Sequence, residues 1–191
     1  MQAQPHHYYE RVRRIETTRL RLRPMRRDDA ELVVSWRTEP STAAMFFSAP
    51  PTLEEHLRWF DGPRWGRADY MVVRKDEARP IGVVNFKSID KKRGCAEAGK
   101  LIGDLNSRGL GMATESFAAW LMYGFEMLEL RQVLVRTRAD NAANIALNKK
   151  LGFRLEDTFR SEAADGTQQI FVTMRLSRED SGGHRARFIS S

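Results

Sequence analysis

The chain of 191 residues has one cysteine, Cys95, and only four histidines. A single cysteine excludes an internal disulfide and suits a reducing compartment. As a nucleophile Cys95 would need a basic partner. Three of the histidines, His6, His7 and His184, lie near the termini, and only His56 sits in the body of the chain. Cys95 therefore reads as a small buried strand residue. No cluster of cysteine and histidine has metal-ligand spacing, so no metal is expected. No apolar run approaches the roughly 20 residues of a membrane helix. The first ten residues are polar and lack the apolar stretch of a secretory signal. A cytoplasmic protein without membrane contact is the expectation. No internal repeat or break in composition marks a second domain, and 41% hydrophobic content supports one full core.

Charge is abundant but uneven. The formal charge is +7, and residues 11–27 alone hold eight arginines against one glutamate. That stretch suits either a strand with one solvated face or a guide for an anionic ligand. No aromatic stacking platform interleaves with it and no DNA-reading motif appears, so no nucleic-acid partner is expected.

Residues 1–14 read as a polar arm, residues 15–176 as one domain, and residues 177–191 as a charged mobile tail. Thr18 to Arg23 alternates with period two, a half-exposed strand. Asp28 with Glu31 marks a helix start before Leu32, Val33 and Trp36. Thr52 with Glu55 forms a capping-box pattern that opens a short helix carrying Leu53, His56, Leu57 and Phe60. Strands are predicted over Tyr70 to Arg74, Ile81 to Phe86, Ala96 to Ile102 and Gln132 to Thr137. A long helix spans Gly111 to Leu128 and a second Asn141 to Leu151. The last strands, Phe153 to Phe159 and Gln169 to Arg175, are joined through an Asp165-Gly166 turn. This order predicts an α+β fold with a mixed sheet and helices on both faces.

Chemistry concentrates in Arg108-Gly109-Leu110-Gly111-Met112-Ala113-Thr114-Glu115, between a predicted strand and a long helix. Glycines let a backbone approach an anion closely, and the first N–H groups of the helix point at it. About thirty residues on comes Asp140-Asn141-Ala142-Ala143-Asn144, followed by Lys150-Leu151-Gly152-Phe153. The order of these blocks resembles the GNAT superfamily of acetyl-CoA-dependent N-acyltransferases, over roughly residues 16–176. The resemblance implies the GNAT fold, with a mostly antiparallel sheet whose central strands splay apart and hold the pantetheine arm between them. Here those strands would be Ala96 to Ile102 and Gln132 to Thr137. The resemblance also implies acetyl-CoA as co-substrate and a small-molecule amine as partner. Family members commonly dimerise.

Such an enzyme holds a pyrophosphate, polarises a thioester carbonyl, presents a neutral amine and manages a leaving thiolate. The resemblance assigns Arg108, Gly109, Gly111, Met112, Ala113 and Thr114 to the pyrophosphate site. A backbone N–H near Leu101 or Ile102 would polarise the carbonyl. Asn141 and Asn144 would bond the pantetheine amides, although Asn is also a favoured helix cap. Where the family often carries a tyrosine to protonate the departing sulfur, this chain has Asn148, which is no acid near neutral pH. Water, another hydroxyl or, remotely, Tyr123 would then serve. Glu97, on one strand face with Gly99 and Leu101, is the first candidate for the base, with burial expected to raise its pKa. His56, through its near-neutral pKa, is the second.

For the acceptor, Pro50 to Phe60 and Ile81 to Asp90 look like the corresponding segments of the amino-sugar nucleotide N-acetyltransferases of the pseudaminic acid pathway. Trp36-Arg37 and Met45-Phe46-Phe47 fit the same group, and Thr38-Glu39 departs from it. A sugar nucleotide suits the basic N-terminal strand. The alternatives are a protein N-terminal acetyltransferase of the ribosomal-protein alanine type, an antibiotic-amine acetyltransferase, and, in another class, a non-catalytic acetyl-CoA-binding module.

Overall fold

Leu20 and Leu22 are fully buried while the arginines between and around them reach outward, which sets the first strands of the sheet against a core. The computed structural model describes residues 12–46, 48–162, 167–181 and 187–190. Its elements are β1 (Val12–Glu16), β2 (Leu20–Pro24), α1 (Ala30–Thr38), α2 (Pro40–Ala43), α3 (Leu53–Asp61), β3 (Ala68–Arg74) and β4 (Pro80–Asp90). They continue with β5 (Cys95–Ile102), α4 (Met112–Glu126), β6 (Gln132–Arg138), α5 (Ala142–Lys150), β7 (Arg154–Glu162), β8 (Gln168–Ser177) and β9 (Arg187–Ser190).

The strands form one sheet in the order β7-β8-β6-β5-β4-β3-β2-β1-β9. Every pairing is antiparallel except β5 with β6, which run parallel and pair only from Cys95, Ala96 and Glu97 to Gln132, Val133 and Leu134. Beyond Glu97 and Leu134 the two strands diverge, and a wedge-shaped gap opens in the middle of the sheet. This is the expected α+β architecture with splayed central strands.

Both faces are covered. On one face α4 packs its nearly all-apolar surface, with Phe117, Trp120 and Tyr123 essentially inaccessible, over Tyr70, Phe86, Val133 and Val135. On the other, α1 and α3 bury Val33, Trp36, Trp59 and Phe60 against Met71, Val73, Val83 and Leu101. β3 lies between the two layers and is buried over six consecutive residues, as a strand covered on both faces must be. Each fully buried large apolar side chain contributes roughly 1.5–3 kcal/mol.

Several elements depart from the sequence expectation. Val12 to Arg14, assigned to the polar arm, belong to β1, which pairs with both β2 and β9. Arg187–Ser190, assigned to the mobile tail, forms β9 on the outer edge of β1. Burial of Val12 and Ile15, at 1% and 0% exposure, gives this corner an apolar anchor that the arginine-rich composition hides. The helix start at Asp28 moves two residues on. Asp29 instead accepts from the N–H of Arg26 at 2.7 Å and from both Nη atoms of Arg23, so a short 3-10 turn precedes α1. The capping box at Thr52 and Glu55 forms both of its hydrogen bonds. Cys95 opens β5 half-buried instead of in the core. Tyr123 stacks on Trp120 and Tyr70 inside the aromatic core. The Asp165-Gly166 turn, residues 1–11, Phe47, residues 182–186 and Ser191 lie outside the described residues. Among the described residues no helix is long and apolar enough to cross a membrane.

Candidate active site

The loop between β5 and α4 takes its shape from two glycines. Gly109 and Gly111 have φ of 76° and 78°, a left-handed conformation that costs an L-residue about 1–2 kcal/mol. Gly111 is the N-cap of α4, and a Cβ there would meet only Arg19 Nη2, at 3.5 Å; one at Gly109 would meet nothing within 4 Å. The loop therefore leaves open space above the first N–H groups of α4, those of Met112, Ala113 and Thr114, which have no partner within the helix. Space, free donors and the positive end of a helix dipole suit the diphosphate of acetyl-CoA.

Two arginines frame this loop, and they divide the work differently from the sequence expectation. Arg108 donates through Nε to Ile102 O at 3.0 Å, through Nη1 to Ser41 Oγ at 3.0 Å and through Nη2 to Thr42 Oγ1 at 2.6 Å. Its guanidinium ties the end of β5 to α2. Arg19, from the β1–β2 turn, donates through Nη1 to Leu110 O at 3.0 Å and through Nε to Glu115 Oε2 at 2.7 Å. The charge beside Gly111 thus comes from the basic N-terminal run. Sequence reading weighed that run as a whole without singling out Arg19, whose partner lies 96 residues away.

Polar contacts reach out from β5 on both faces of the gap, to β6 on one and to α5 on the other. On the α1/α3 face, Glu97 lies between Lys87 Nζ, 2.8 Å from Oε1, and Arg136 Nη1, which donates to Oε2 at 3.0 Å. These residues line a cleft of about 460 Å³ together with Asp157, Phe159 and Thr173. On the α4/α5 face, Lys100 Nζ donates to Asn148 Oδ1 at 2.6 Å and lies 4.0 Å from the centroid of the Phe117 ring. Burial pushes the Lys100 ammonium down to about 7. Asn148 is inaccessible, and its Nδ2 is 3.8 Å from Met174 Sδ. Lys100 is the residue that sequence reading missed. Alternation on β5 places it opposite Glu97, Gly99 and Leu101, but only the fold brings α5 over it.

Backbone direction separates Leu101 from Ile102. Gly103 donates its N–H to Ile81 O at 2.9 Å, so alternate residues, Leu101 among them, present their N–H groups to β4. Ile102 and Lys100 present theirs to the open edge beyond the paired region, and Arg108 reaches Ile102 O from that side. Above this end of β5 sits Trp36; a Cβ on Gly103 would lie 2.1 Å from its ring.

Asn141 acts as N-cap of α5, accepting from the N–H of Asn144 at 3.1 Å. Asn144 Nδ2 donates to the buried Thr137 Oγ1 at 3.0 Å, which fastens α5 to β6. α2 spans the mouth of the gap, held by Arg108 on one side and on the other by Arg138, whose Nη1 donates to Ala44 O at 3.0 Å. Glu39 caps α2, and its hydrogen bond from the Ser41 hydroxyl, with others from the Ser41 and Thr42 N–H groups, holds its carboxyl down to about 2.

His56 is not brought to Glu97. It packs against the Trp59 ring at 5.0 Å in the α3 layer, and its Nε2 is buried with no hydrogen-bond partner. Burial lowers its pKa, opposed by Asp69 and reinforced by Arg37 and Arg64.

The comparisons with known proteins agree with this geometry. The family model described as an acetyltransferase (GNAT) domain matches residues 19–154. The N-acetyltransferase p20 of Bacillus licheniformis is 29% identical over 174 residues, covering 87% of this chain and 97% of that protein. Among solved structures, spermidine N-acetyltransferase from Vibrio cholerae, in complex with CoA and spermine, superposes with a TM-score of 0.79 at 20% identity, covering 86% of this chain and 98% of that one. A GNAT-family acetyltransferase from Bacillus anthracis superposes with a TM-score of 0.76 at 18% identity over 87% and 99% of the two chains. With its wedge-split sheet and its glycine-shaped loop at the head of α4, the chain belongs to the GNAT family of acetyl-CoA-dependent acetyltransferases.

Proposed function

We propose that this enzyme transfers the acetyl group of acetyl-CoA to the primary amine of a nucleotide-linked amino sugar, by direct attack in a ternary complex. The observation that carries the acceptor is the cleft at Glu97, where Lys87 and Arg136 flank the carboxylate. A carboxylate between two cations receives an amine on a carrier that is itself anionic. The ammonium approaches Glu97 and the carrier's phosphates meet the cations. A polyamine such as the spermine bound by the Vibrio cholerae neighbour carries no anionic group that could meet Lys87 and Arg136.

The donor side follows from the loop and the gap. The diphosphate lies against Gly109, Gly111, Met112, Ala113 and Thr114, with Arg19 supplying charge and Arg108 bracing the loop from behind. The pantetheine arm runs along the gap past Asn144, with Asn141 shaping the start of α5. The thioester carbonyl accepts from the N–H of Ile102 at the open edge, while Leu101 packs its side chain against the α1/α3 layer. An aliphatic ammonium has a pKa of about 10.4 and must lose a proton before attack. Glu97 takes that proton, and its two cations turn instead to the incoming carrier. His56 shapes the α3 wall of the acceptor side.

The test is a turnover panel with acetyl-CoA and three amines: a UDP-linked amino sugar, spermidine and an N-terminal alanine peptide. The sugar nucleotide is the expected substrate, with UDP alone competing for the site. Turnover of the peptide or spermidine in preference to the sugar nucleotide would overturn the acceptor assignment.

A further inference from the structure

Lys100 occupies a position that a hydrophobic residue would fill at lower cost. It follows the buried Ala96 and Ala98 on the core side of β5, under α4. Among the described residues no carboxylate forms an ion pair with it. Phe117 faces its ammonium from α4 and the Asn148 amide from α5, and burial alone accounts for its altered titration. A desolvated, unpaired ammonium destabilises the fold. It persists in the one place where the sheet opens, reaching from β5 across to α5.

We propose that Lys100 is the proton donor to the departing thiolate of the acyl donor, and that Asn148 positions it. This inference rests on the placement of the donor in the gap proposed above. The deprotonated substrate nitrogen attacks the thioester carbon and the C–N bond forms, while the carbonyl π pair moves to the oxygen beside the Ile102 N–H. That pair then returns, the C–S bond breaks with its electrons on sulfur, and the attacking nitrogen sheds its remaining excess proton to solvent, which leaves the neutral amide. The Lys100 ammonium transfers one proton to the sulfur and becomes a neutral amine, which regains a proton from solvent.

The magnitudes favour the transfer. A thiol has an ordinary pKa of about 8.5 and lysine about 10.4, so an unperturbed lysine would give up its proton uphill. Held at about 7, Lys100 gives it up downhill. Asn148 suits this role because its amide orients the ammonium without adding negative charge. Its Nδ2 is turned to Met174 Sδ, which leaves Oδ1 for Lys100. An aspartate there would hold the ammonium but raise its pKa.

Two measurements test this. NMR of ¹³Cε-labelled lysine, with Lys100→Met as the assignment control, should reveal a lysine titrating near neutral pH; Asn148→Asp should move that titration upward. In the kcat–pH profile, wild type should lose activity as Lys100 deprotonates. Lys100→Met should lower kcat by about 100-fold and abolish that descending limb, while calorimetry finds acetyl-CoA binding retained. Lys100→Arg, which keeps the charge but cannot release the proton, should be as slow as Lys100→Met. Wild-type kcat and an unchanged limb in Lys100→Met, or recovery in Lys100→Arg, would overturn the assignment. If Lys100→Met does not fold, an unmoved limb in Asn148→Asp overturns it instead. A wild-type protein that fails to bind acetyl-CoA would overturn the donor placement, a separate failure.

Discussion

Glu97 Oε2 accepts a hydrogen bond from Arg136 Nη1 at 3.0 Å, a contact that crosses from β5 to β6 where their pairing ends. The carboxylate therefore sits at the apex of the gap, on the α1/α3 face, with Lys87 on its other oxygen. Glu97→Gln keeps the size and removes the charge. It should lower kcat by about 100-fold and flatten the ascending limb of the pH–rate profile, with little change in acetyl-CoA affinity. Steady-state kinetics across pH checks this, and an unchanged profile would remove Glu97 as the base.

Glu115 links the first hairpin to the head of α4. It accepts from Thr17 Oγ1 at 2.6 Å, the Arg19 N–H at 2.9 Å and Arg19 Nε at 2.7 Å. Burial pushes its carboxyl pKa up, but these hydrogen bonds outweigh that and the pKa is lowered. The folded state thus binds this proton more weakly than the unfolded state. Glu115 adds stability above the ordinary carboxyl pKa and loses it as pH falls below. Glu115→Gln should cost about 1 kcal/mol at neutral pH, with the difference from wild type closing in acid. Denaturant melts at neutral and acidic pH measure it.

Trp36 lies against Gly103 so closely that no side chain fits between them. Gly103→Ala should force the ring or the end of β5 to move, destabilising the fold by about 1–3 kcal/mol. Because the Ile102 N–H is next to it, kcat should fall as well. Thermal melts and kinetics on the same variant check both effects.

The Lys100 pKa also makes a stability prediction with a definite sign. Its folded pKa is lowered to about 7 from 10.5, so the unfolded chain binds the extra proton between those values. Wild-type stability therefore gains with rising pH across that window, and the penalty is fully present below it. Relative to wild type, Lys100→Met should be most stable near pH 6, where that penalty is whole. The advantage should shrink toward pH 10. Paired melts over this range test it, and an advantage independent of pH would contradict the buried-ammonium account.

Much of this molecule is legible in local pattern. The alternation of Leu20 and Leu22, the Thr52–Glu55 capping box and the glycines at 109 and 111 each dictate backbone geometry within a few residues, and each forms as read. What is not legible depends on long-range pairing. β9 is defined by its contact with β1, a neighbour far away in sequence. Arg19 and Arg108 are both arginines near the loop, but only the folded arrangement assigns one to Leu110 and Glu115 and the other to α2. Lys100 reads in sequence as an ordinary polar residue on a strand. Its meaning comes from α5, which brings Asn148 over it, and from α4, which lays Phe117 on it. Burial was expected to isolate Glu97, but the fold instead surrounds it with two cations.

The most direct test of the central claim is calorimetric titration of wild type and Gly111→Glu with acetyl-CoA. The variant places a carboxylate where the loop is open and the helix donors converge. Micromolar binding by wild type, lost in a variant whose circular dichroism is unchanged, is the predicted result. Equal binding by both proteins, or none by wild type, would contradict the donor site at the head of α4.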